Sequence, residues 1–421
     1  MKLNKQHIFS SIYGLALLGL TIFPSVELTL IICVILITSF SISNGYVDKY
    51  QINLVSLLFL IVLVGLFSTI FGSNKNIDIL KDVLHYVKPL LMLLAGYLAA
   101  RKIGDKHFVI KTILFVALVS AIKHIITFIF LVDFSDFDIN KLRYNAGLGT
   151  FIELLALIIL VASKKYRIFD VYKKKGVKRI LLFIFIGSFI LYFSRTMLLG
   201  LVVILITVFG YTKLNIKGVK YVSGVLIVIA LSYTVLFNIK LNPDKPGLES
   251  FFYKIRNAPL EMFSSPEGYD PQNHKRIFDR WRAYEAKMAL QQMNENRLNY
   301  LFGKGFGSLI DLKFVAPLND EGMRFIPIIH NGYIYVLFKT GIIGLFIYMI
   351  FLVSLYFQSY KESFSIDELA LRNLISGFGV YYLVTSFVIT GIYNLEEPSS
   401  FILGSFLFLL TNIRKESSLK Y

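Results

Sequence analysis

Long apolar runs recur along the whole of this 421-residue chain, and they constrain its fold more than any other feature. Hydrophobic residues make up 56% of the chain and charged residues only 17%, whereas about a quarter of the residues in a soluble protein are charged. Lipid offers the backbone no hydrogen-bond partners. Apolar runs that cross a bilayer therefore form helices, in which the backbone groups hydrogen-bond to one another. The sequence therefore predicts an all-α polytopic membrane protein.

The apolar runs predict about 12 transmembrane helices, with short connections between most of them. Their ranges are 8–23, 26–43, 52–71, 83–100, 112–132, 146–162, 180–193, 197–211, 220–238, 331–357, 373–391 and 399–413. The first run is followed at once by another, so we interpret it as a span and not as a cleaved signal peptide. An even number of spans places both termini on the same side of the membrane.

Lysine and arginine residues are distributed unequally over the connecting segments. They are dense on the side of the N-terminus, above all at 101–111 and 164–179, and sparse in the short segments of the other side. Because basic residues concentrate in cytoplasmic loops, both termini are predicted to be cytoplasmic. The net charge of +17 is then spread over many short loops, which argues against nucleic acid as a partner.

One polar segment of about 90 residues, 240–329, interrupts the spans and is predicted to face outward. It divides the chain into 1–239 with the first nine spans, 240–330 as a large outer loop, and 331–421 with the last three spans.

Within the loop, residues 274–297 are predicted to form a helix, because apolar residues recur there at helical spacing. Arg276 and Arg280 fall on one face of this helix. A solvated basic face and a phosphate-binding site both remain open, since the planar fork of arginine suits phosphate. The glycine-rich turn at 301–308 that follows is interpreted as a place where backbone can approach an anion.

Arg195 lies between two short apolar runs, 180–193 and 197–211. About fourteen helical residues span only ~21 Å, less than the ~30 Å hydrocarbon core, so Arg195 is predicted to be recessed from the outer surface. An intramembrane arginine is costly and normally has a partner. Snorkelling to the interface and an anion site at the outer mouth of the bundle are the two interpretations. Arg143, also predicted to face outward, is a further candidate for the basic site.

His330 ends the outer loop and begins the span at 331–357. An imidazole next to an anion-binding cluster suits a general base that works against a phosphate leaving group. Asn331 is the candidate for orienting it. A structural role for an interfacial histidine is the alternative.

Other polar residues support no site of their own at this point. Lys123, His124 and Glu153 lie within apolar runs, where pairing inside the bundle is the simplest interpretation. The single cysteine, Cys33, leaves the loop without a disulfide, and we identify no cluster with metal-ligand spacing.

Several of these motifs, in this order, resemble the O-antigen ligase and polymerase superfamily. The signature residues are His-Asn-Gly-Tyr at 330–333 followed by Gly-Ile-Ile-Gly-Leu at 341–345. Ser-Arg-Thr at 194–196 resembles the Ser-Arg motif of that family. The helix around Arg280 and the glycine-rich turn at 301–307 resemble its outer-loop pattern.

The resemblance extends over 142–357 and implies a C-type-glycosyltransferase-like enzyme of the cytoplasmic (inner) membrane. Such an enzyme takes a glycan from undecaprenyl diphosphate at the outer face and uses no metal, nucleotide sugar or other cofactor. His330 would activate the acceptor hydroxyl, Arg195 and Arg280 would bind the diphosphate, and Arg276 is the competing match to the loop arginine. Membrane lipid and the lipid-linked glycan are the implied partners, and a chain-length regulator stays open.

The resemblance leaves three functions to compare. A polymerase joins lipid-linked repeat units into a surface polysaccharide such as O-antigen or capsule, and a ligase transfers glycan to lipid A–core. Ligases often carry a second histidine just before the catalytic one, and Ile328 at that position favours a polymerase. A transporter of polysaccharide units is less favoured, because the chain shows no paired half-repeats.

Overall fold

A computed structural model describes residues 5–41, 49–131, 147, 149–242, 247–263, 280–318, 322–394 and 397–418. Within these ranges, the regular structure is helical apart from one small hairpin. The helices are α1 (Lys5–Ile22), α2 (Val26–Ser41), α3 (Lys49–Thr69), α4 (Asn76–Ile103), α5 (Lys106–Leu131), α6 (Phe151–Ala162), α7 (Lys175–Leu191), α8 (Arg195–Val208), α9 (Ile216–Asn238), α10 (Leu248–Phe263), α11 (Trp281–Met293), α12 (Leu298–Phe302), α13 (Gly332–Tyr356), α14 (Ile366–Val388) and α15 (Ser399–Ser418). The strands are β1 (Ile310–Ala316) and β2 (Met323–Ile326).

Every predicted span overlaps one helix of the structure. Helices α1 to α9 cover the first nine predicted ranges, and α13 to α15 cover the last three. One clear difference is at α4, which begins at Asn76 and not near 83. Its first turns contain Asp78 and Asp82, so hydropathy alone gives no sign of them.

Several of these helices have the length and composition of membrane spans. Among the described residues, Lys49–Thr69, Asn76–Ile103, Lys106–Phe130, Ile216–Asn238 and Gly332–Tyr360 are long and apolar enough to cross a bilayer. Shorter apolar helices occupy Gln6–Ile22, Val26–Phe40, Phe151–Ala162 and Arg195–Val208. The protein is therefore a polytopic membrane protein with multiple candidate spans.

Helices α4 and α15 pack closely at the centre of the bundle. A Cβ on Gly96 of α4 would lie 1.9 Å from the carbonyl oxygen of Phe401, and one on Gly404 of α15 would lie 2.1 Å from that of Leu93. Small residues let helix backbones approach in this way where lipid supplies no hydrophobic drive for association. By contrast α9, the span at Ile216–Asn238, has no buried share and lies at the edge of the bundle.

The described parts of the long polar segment 240–330 fold into a cap that packs on the bundle. Strands β1 and β2 pair antiparallel, with Ile310 opposite Ile326. The hydroxyl of Tyr284 on α11 donates to the carbonyl of Leu312, which fixes α11 against the hairpin. The predicted helix at 274–297 is present as α11, which ends at Met293, while residues 274–279 lie outside the described ranges. Helix α10 and the hairpin were not predicted.

The glycine-rich turn after α12 docks onto the bundle and does not stay open for a ligand. The amides of Lys304 and Gly305 donate to the carbonyls of Phe338 and Lys339, at 2.7 and 3.1 Å. The amide of Gly307 donates to a carboxylate oxygen of Asp82 at 2.6 Å. The turn therefore contacts an anion as expected, but the anion is the protein's own aspartate.

Candidate functional site

His330 and Glu285 form a hydrogen-bonded pair where the cap meets α13. The imidazole Nδ1 lies 3.0 Å from Oε2 and 3.2 Å from Oε1 of Glu285, and the backbone N–H of His330 donates to Oε2 at 2.8 Å. The side chain of His330 is 53% exposed, whereas that of Glu285 is 2% exposed. The buried carboxylate thus holds one edge of the ring and leaves the Nε2 edge accessible.

The start of α13 fixes the backbone that presents His330. Asn331 is the N-cap residue, and its side-chain oxygen accepts the amide of Ile334 at 3.0 Å. The amide of Gly332 donates to the carbonyl of Ile389 at 3.0 Å, and a Cβ there would lie 3.0 Å from the backbone of Thr390. In this geometry Asn331 orders the helix start. The orientation of the imidazole, predicted for Asn331, is supplied by Glu285.

Glu285 was missed by the sequence interpretation, although a signal was present. It lies four residues after Trp281 and three before Met288, within the apolar stripe that predicted the helix. All three of these side chains are buried. A lone carboxylate on a buried helix face requires a partner, because an unpaired charge there is costly.

Arg195 also has a carboxylate partner, and it shares that partner with a second arginine. Its Nη1 lies 3.2 Å from Oε2 of Glu261 on α10, and Arg282 Nη1 lies 2.9 Å from Oε1 of the same residue. Arg195 also donates to the carbonyl of Lys254. Burial lowers the pKa of the Arg282 guanidinium, and the adjacent Glu261 opposes that shift. Two guanidinium groups therefore converge on one anionic position.

The short turn between α7 and α8 places Arg195 at the mouth of the bundle. Helix α7 ends at Leu191, Phe193 has a φ of 45°, and Ser194 caps α8 by accepting the amide of Met197. A positive φ is costly for an aromatic residue, so the turn is held by the structure around it. Arg195 is the first residue of α8 and is 22% exposed.

A long apolar groove leads away from the two arginines. Its volume is about 810 Å³, and Arg195 and Arg282 both contribute to its lining. The remaining wall comes mostly from apolar residues of α8, α9 and α10, such as Val202, Val228 and Ile255. The lining residues of α9 extend over 220–233, which is about 20 Å of helix. The groove thus joins an anion-binding end to a surface suited to a hydrocarbon chain.

The arginine groove and the histidine pair are adjacent. Arg282 and Glu285 are one turn apart on α11. Val388 lines the groove, and the next residue, Ile389, accepts the amide of Gly332 beside His330. Helix α11 and the extended connection after α14 therefore link the imidazole of His330 to the guanidinium groups of Arg195 and Arg282.

Of the three other arginines predicted for the site, one lies in the described ranges. Arg280 lies at the N-terminal boundary of α11, two residues before Arg282. Arg276 and Arg143 lie outside the described residues. Arg282 and Glu261, which no sequence motif indicated, are the residues that the fold brings to Arg195.

A metal centre was not predicted, and the described ranges contain no group of three or more His, Cys, Asp or Glu residues suited to holding a metal ion. The groups available for chemistry are thus an oriented imidazole with one accessible nitrogen and two guanidiniums that share an anion. Together they can remove a proton and stabilise negative charge on a phosphate leaving group.

Comparison with known proteins gives one family assignment. No curated protein sequence matches the chain. One segment of the chain does match a family model. It runs from α7 into α13 and so includes Arg195, Glu261, Arg282, Glu285 and His330. Residues 180–349 match the family model described as O-Antigen ligase, and the chain therefore contains a domain of that family.

Proposed function

We propose that the protein is a polysaccharide polymerase that joins oligosaccharide repeat units carried on undecaprenyl diphosphate. Proteins of the matched family act on lipid-linked glycans as ligases or polymerases. The observation that supports the proposal is the His330–Glu285 pair next to an apolar groove with two arginines at its mouth. The product is a surface polysaccharide such as O-antigen or capsule, formed at the outer face of the cytoplasmic membrane.

His330 is the proposed general base. Its accessible Nε2 takes the proton from the acceptor sugar hydroxyl as that oxygen attacks the anomeric carbon of the donor. Glu285 hydrogen-bonds Nδ1, which fixes the tautomer and stabilises the imidazolium that forms. The new bond is between sugar oxygen and anomeric carbon, and the bond that breaks joins this carbon to the diphosphate oxygen.

Arg195 and Arg282 are the proposed diphosphate ligands. The leaving diphosphate gains negative charge as the glycosidic bond breaks, and two guanidiniums stabilise that charge. The apolar groove next to them accommodates the first part of the polyprenyl tail. Arg280 is retained as an additional diphosphate ligand, since it lies at the start of the same helix. Arg276 and Arg143 are retained from the sequence alone, and Asn331 has the supporting role of capping α13.

The proposed topology places this chemistry at the outer face of the cytoplasmic membrane. About twelve spans with both termini cytoplasmic put the segment 240–330 on the outer side. A lipid-linked donor then lies in the membrane with its diphosphate at that surface. A metal-independent transfer with no nucleotide sugar agrees with the acid–base and cationic groups of this site.

Deletion of the gene in its native host tests the proposal by the pattern of surface glycan. A polymerase predicts single repeat units on lipid A–core or on the carrier lipid, while a ligase predicts polymer that stays on the carrier. Loss of all repeat units from the outer face would instead indicate a transporter. Complementation with His330→Ala should fail to restore chain extension, since loss of a general base costs about 10²- to 10⁴-fold in rate.

The matched control is His107→Ala, because His107 is an exposed histidine in the first turn of α5. It should restore normal chain lengths at equal membrane expression. Normal chain lengths with His330→Ala would exclude His330 as the base.

A further inference from the structure

A second polar pocket lies on the opposite side of the turn that places Arg195. It is lined by the C-terminal end of α1, one face of α5, the residues before α6, and Tyr192 after α7. Its volume is about 170 Å³, much smaller than the 810 Å³ of the apolar groove. The proposed transfer chemistry uses none of its residues.

A buried carboxylate forms the base of this site. Glu153 on α6 is fully buried, and four hydroxyls surround it. Ser120 and Tyr192 approach Oε1 at 2.7 Å, Thr150 approaches it at 3.0 Å, and Ser188 approaches Oε2 at 2.6 Å. The hydroxyl is the donor in each of these four hydrogen bonds, and the carboxyl oxygens accept.

This arrangement assigns the tautomer of His124. Its Nδ1 lies 2.9 Å from Ser188 Oγ. Because Ser188 donates its own proton to Glu153, its oxygen accepts from His124, and Nδ1 carries the hydrogen. Nε2 of the neutral ring is then an acceptor on the other side. The expectation that His124 and Glu153 pair inside the bundle is met through Ser188.

His124 is part of the pocket wall. His124 is 4% exposed, and within the described part of the chain its Nε2 has no hydrogen-bond partner. Its ring stacks on Tyr192 with centroids 3.7 Å apart and planes 13° apart. A buried acceptor without a donor costs free energy, so the pocket favours a ligand that brings one.

The charges of the pocket indicate a neutral ligand. Lys123 is the charged residue of the described lining, and the carboxyl group of Glu153 lies behind Ser120. A diphosphate would need more cationic groups than the described lining offers. A hydrocarbon chain would leave the imidazole nitrogen unpaired.

We propose that this pocket binds one neutral, hydroxyl-bearing sugar ring, with a ring hydroxyl donating to His124 Nε2. That the ring belongs to the donor or acceptor glycan rests on the proposed function; the binding of a neutral sugar does not. Tyr192 and Arg195 are three residues apart on one turn, so a glycan held here lies next to the groove that takes its diphosphate.

Saturation-transfer difference NMR on the full chain in lipid nanodiscs tests the pocket. The probes are methyl glycosides of neutral hexoses and N-acetylhexosamines. His124→Phe keeps the ring stack but removes Nε2, and apparent affinity should fall about five- to tenfold for the lost hydrogen bond. Ile22→Trp fills the pocket from its α1 wall, without touching the Glu153 network, and should abolish the signal.

His330→Ala changes the proposed transfer site and leaves this pocket intact, so the saturation-transfer signal should be unchanged. Absence of a signal with the wild type, an undiminished signal with both pocket variants, or loss of the signal with His330→Ala would each overturn the assignment. Chain lengths in cells carrying Ile22→Trp identify the source of the sugar. Shortened polymer indicates the lipid-linked glycan, and normal polymer with the NMR signal abolished indicates a site for free saccharide.

Failure of this proposal is distinguishable from failure of the proposed function. If chain extension needs His330 but the pocket variants bind glycosides normally, the pocket assignment alone is wrong. If the pocket binds glycosides but deletion leaves the surface glycan unchanged, the polymerase proposal alone is wrong.

Discussion

The contact between His330 and Glu285 has little value as a stabilising ion pair. The imidazole is half-exposed, and pairs of that kind typically contribute about 0–1 kcal/mol. Its geometry is nevertheless specific, because the same carboxylate receives both the ring nitrogen and the backbone amide of His330. A buried carboxylate that orients an exposed imidazole is more useful for proton transfer than for folding.

Replacing Glu285 with glutamine should therefore reduce transfer with little effect on the fold. Glutamine keeps an acceptor for the backbone amide but loses the charge that stabilises an imidazolium. We expect the maximal rate to fall at least about tenfold, with the KM for the lipid-linked donor unchanged. The rate of chain extension by protein in nanodiscs measures this. Glu295→Gln, an exposed carboxylate that pairs with Lys304, is the control and should retain the wild-type rate. A wild-type rate for Glu285→Gln would remove Glu285 from the mechanism.

Glu261 occupies the position that a diphosphate would take between Arg195 and Arg282. A ligand must displace it, so Glu261→Gln should tighten the binding of inorganic diphosphate. Two partly exposed pairs of at most about 1 kcal/mol each give an expected gain of about three- to tenfold. Isothermal titration of diphosphate into the protein in nanodiscs measures the change. Glu249→Gln, in the first turn of the same helix, controls for net charge. Weaker binding by Glu261→Gln would show that this carboxylate holds the arginines in place for the ligand.

Helix α13 is interrupted at Gly341. Gly341 has a φ of 65° and a ψ of −170° inside the helix, and a Cβ there would lie 2.2 Å from the carbonyl of Leu301 on α12. The break lets the carbonyls of Phe338 and Lys339 accept amides of the glycine-rich turn. Two separate glycine motifs thus form one joint that sets the position of the cap above α13.

Gly341→Ala should loosen this joint. Both the backbone conformation and the clash oppose a Cβ, and the combined cost is about 2–6 kcal/mol. We expect a lower Tm in detergent and loss of chain extension, because Glu285 on the cap no longer meets His330. Gly187→Ala is the matched control, since nothing lies within 4 Å of a Cβ built at that position. An unchanged Tm for Gly341→Ala would mean that the joint does not stabilise the fold.

The arrangement of the bundle makes the predicted orientation directly testable. Lys174, in the basic segment before α7, and Phe325, on β2 of the cap, are both exposed. They are predicted to face opposite sides of the membrane. The single cysteine, Cys33, is buried, so its removal leaves a clean background for labelling.

In a Cys33→Ala background, Phe325→Cys should react with a membrane-impermeant maleimide added to intact spheroplasts. Lys174→Cys should react only after the membrane is opened, because the predicted orientation places it on the cytoplasmic side. Mass shift on a gel measures both reactions. The reverse pattern would invert the topology and place the His330 site in the cytoplasm, which contradicts a transfer at the outer face.

The sequence identified candidate site residues that stand out among their immediate neighbours, and it missed residues whose role depends on distant partners. His330 was identified because it lies where a polar loop meets an apolar run, and Arg195 because it lies between two apolar runs, both properties of the neighbouring residues alone. Glu285 was missed because its partner, His330, is 45 residues away in the sequence. Glu261 was missed because its partner, Arg195, lies in a different helix. Helical phase placed Arg276 and Arg280 on one face, but it cannot decide which arginine of a helix turns toward a distant carboxylate, and Arg282 was not considered.

The lengths of the apolar runs were enough to predict a helical membrane protein, and each predicted span overlaps a helix of the structure. Those features follow from the bilayer, which acts on every segment separately by excluding polar backbone and side chains. The pairing of Glu285 with His330, the sharing of Glu261 by two arginines, and the groove between α8, α9 and α10 came only from the packed structure. They depend on which helix faces which, and that is settled by side-chain packing between segments far apart in the chain.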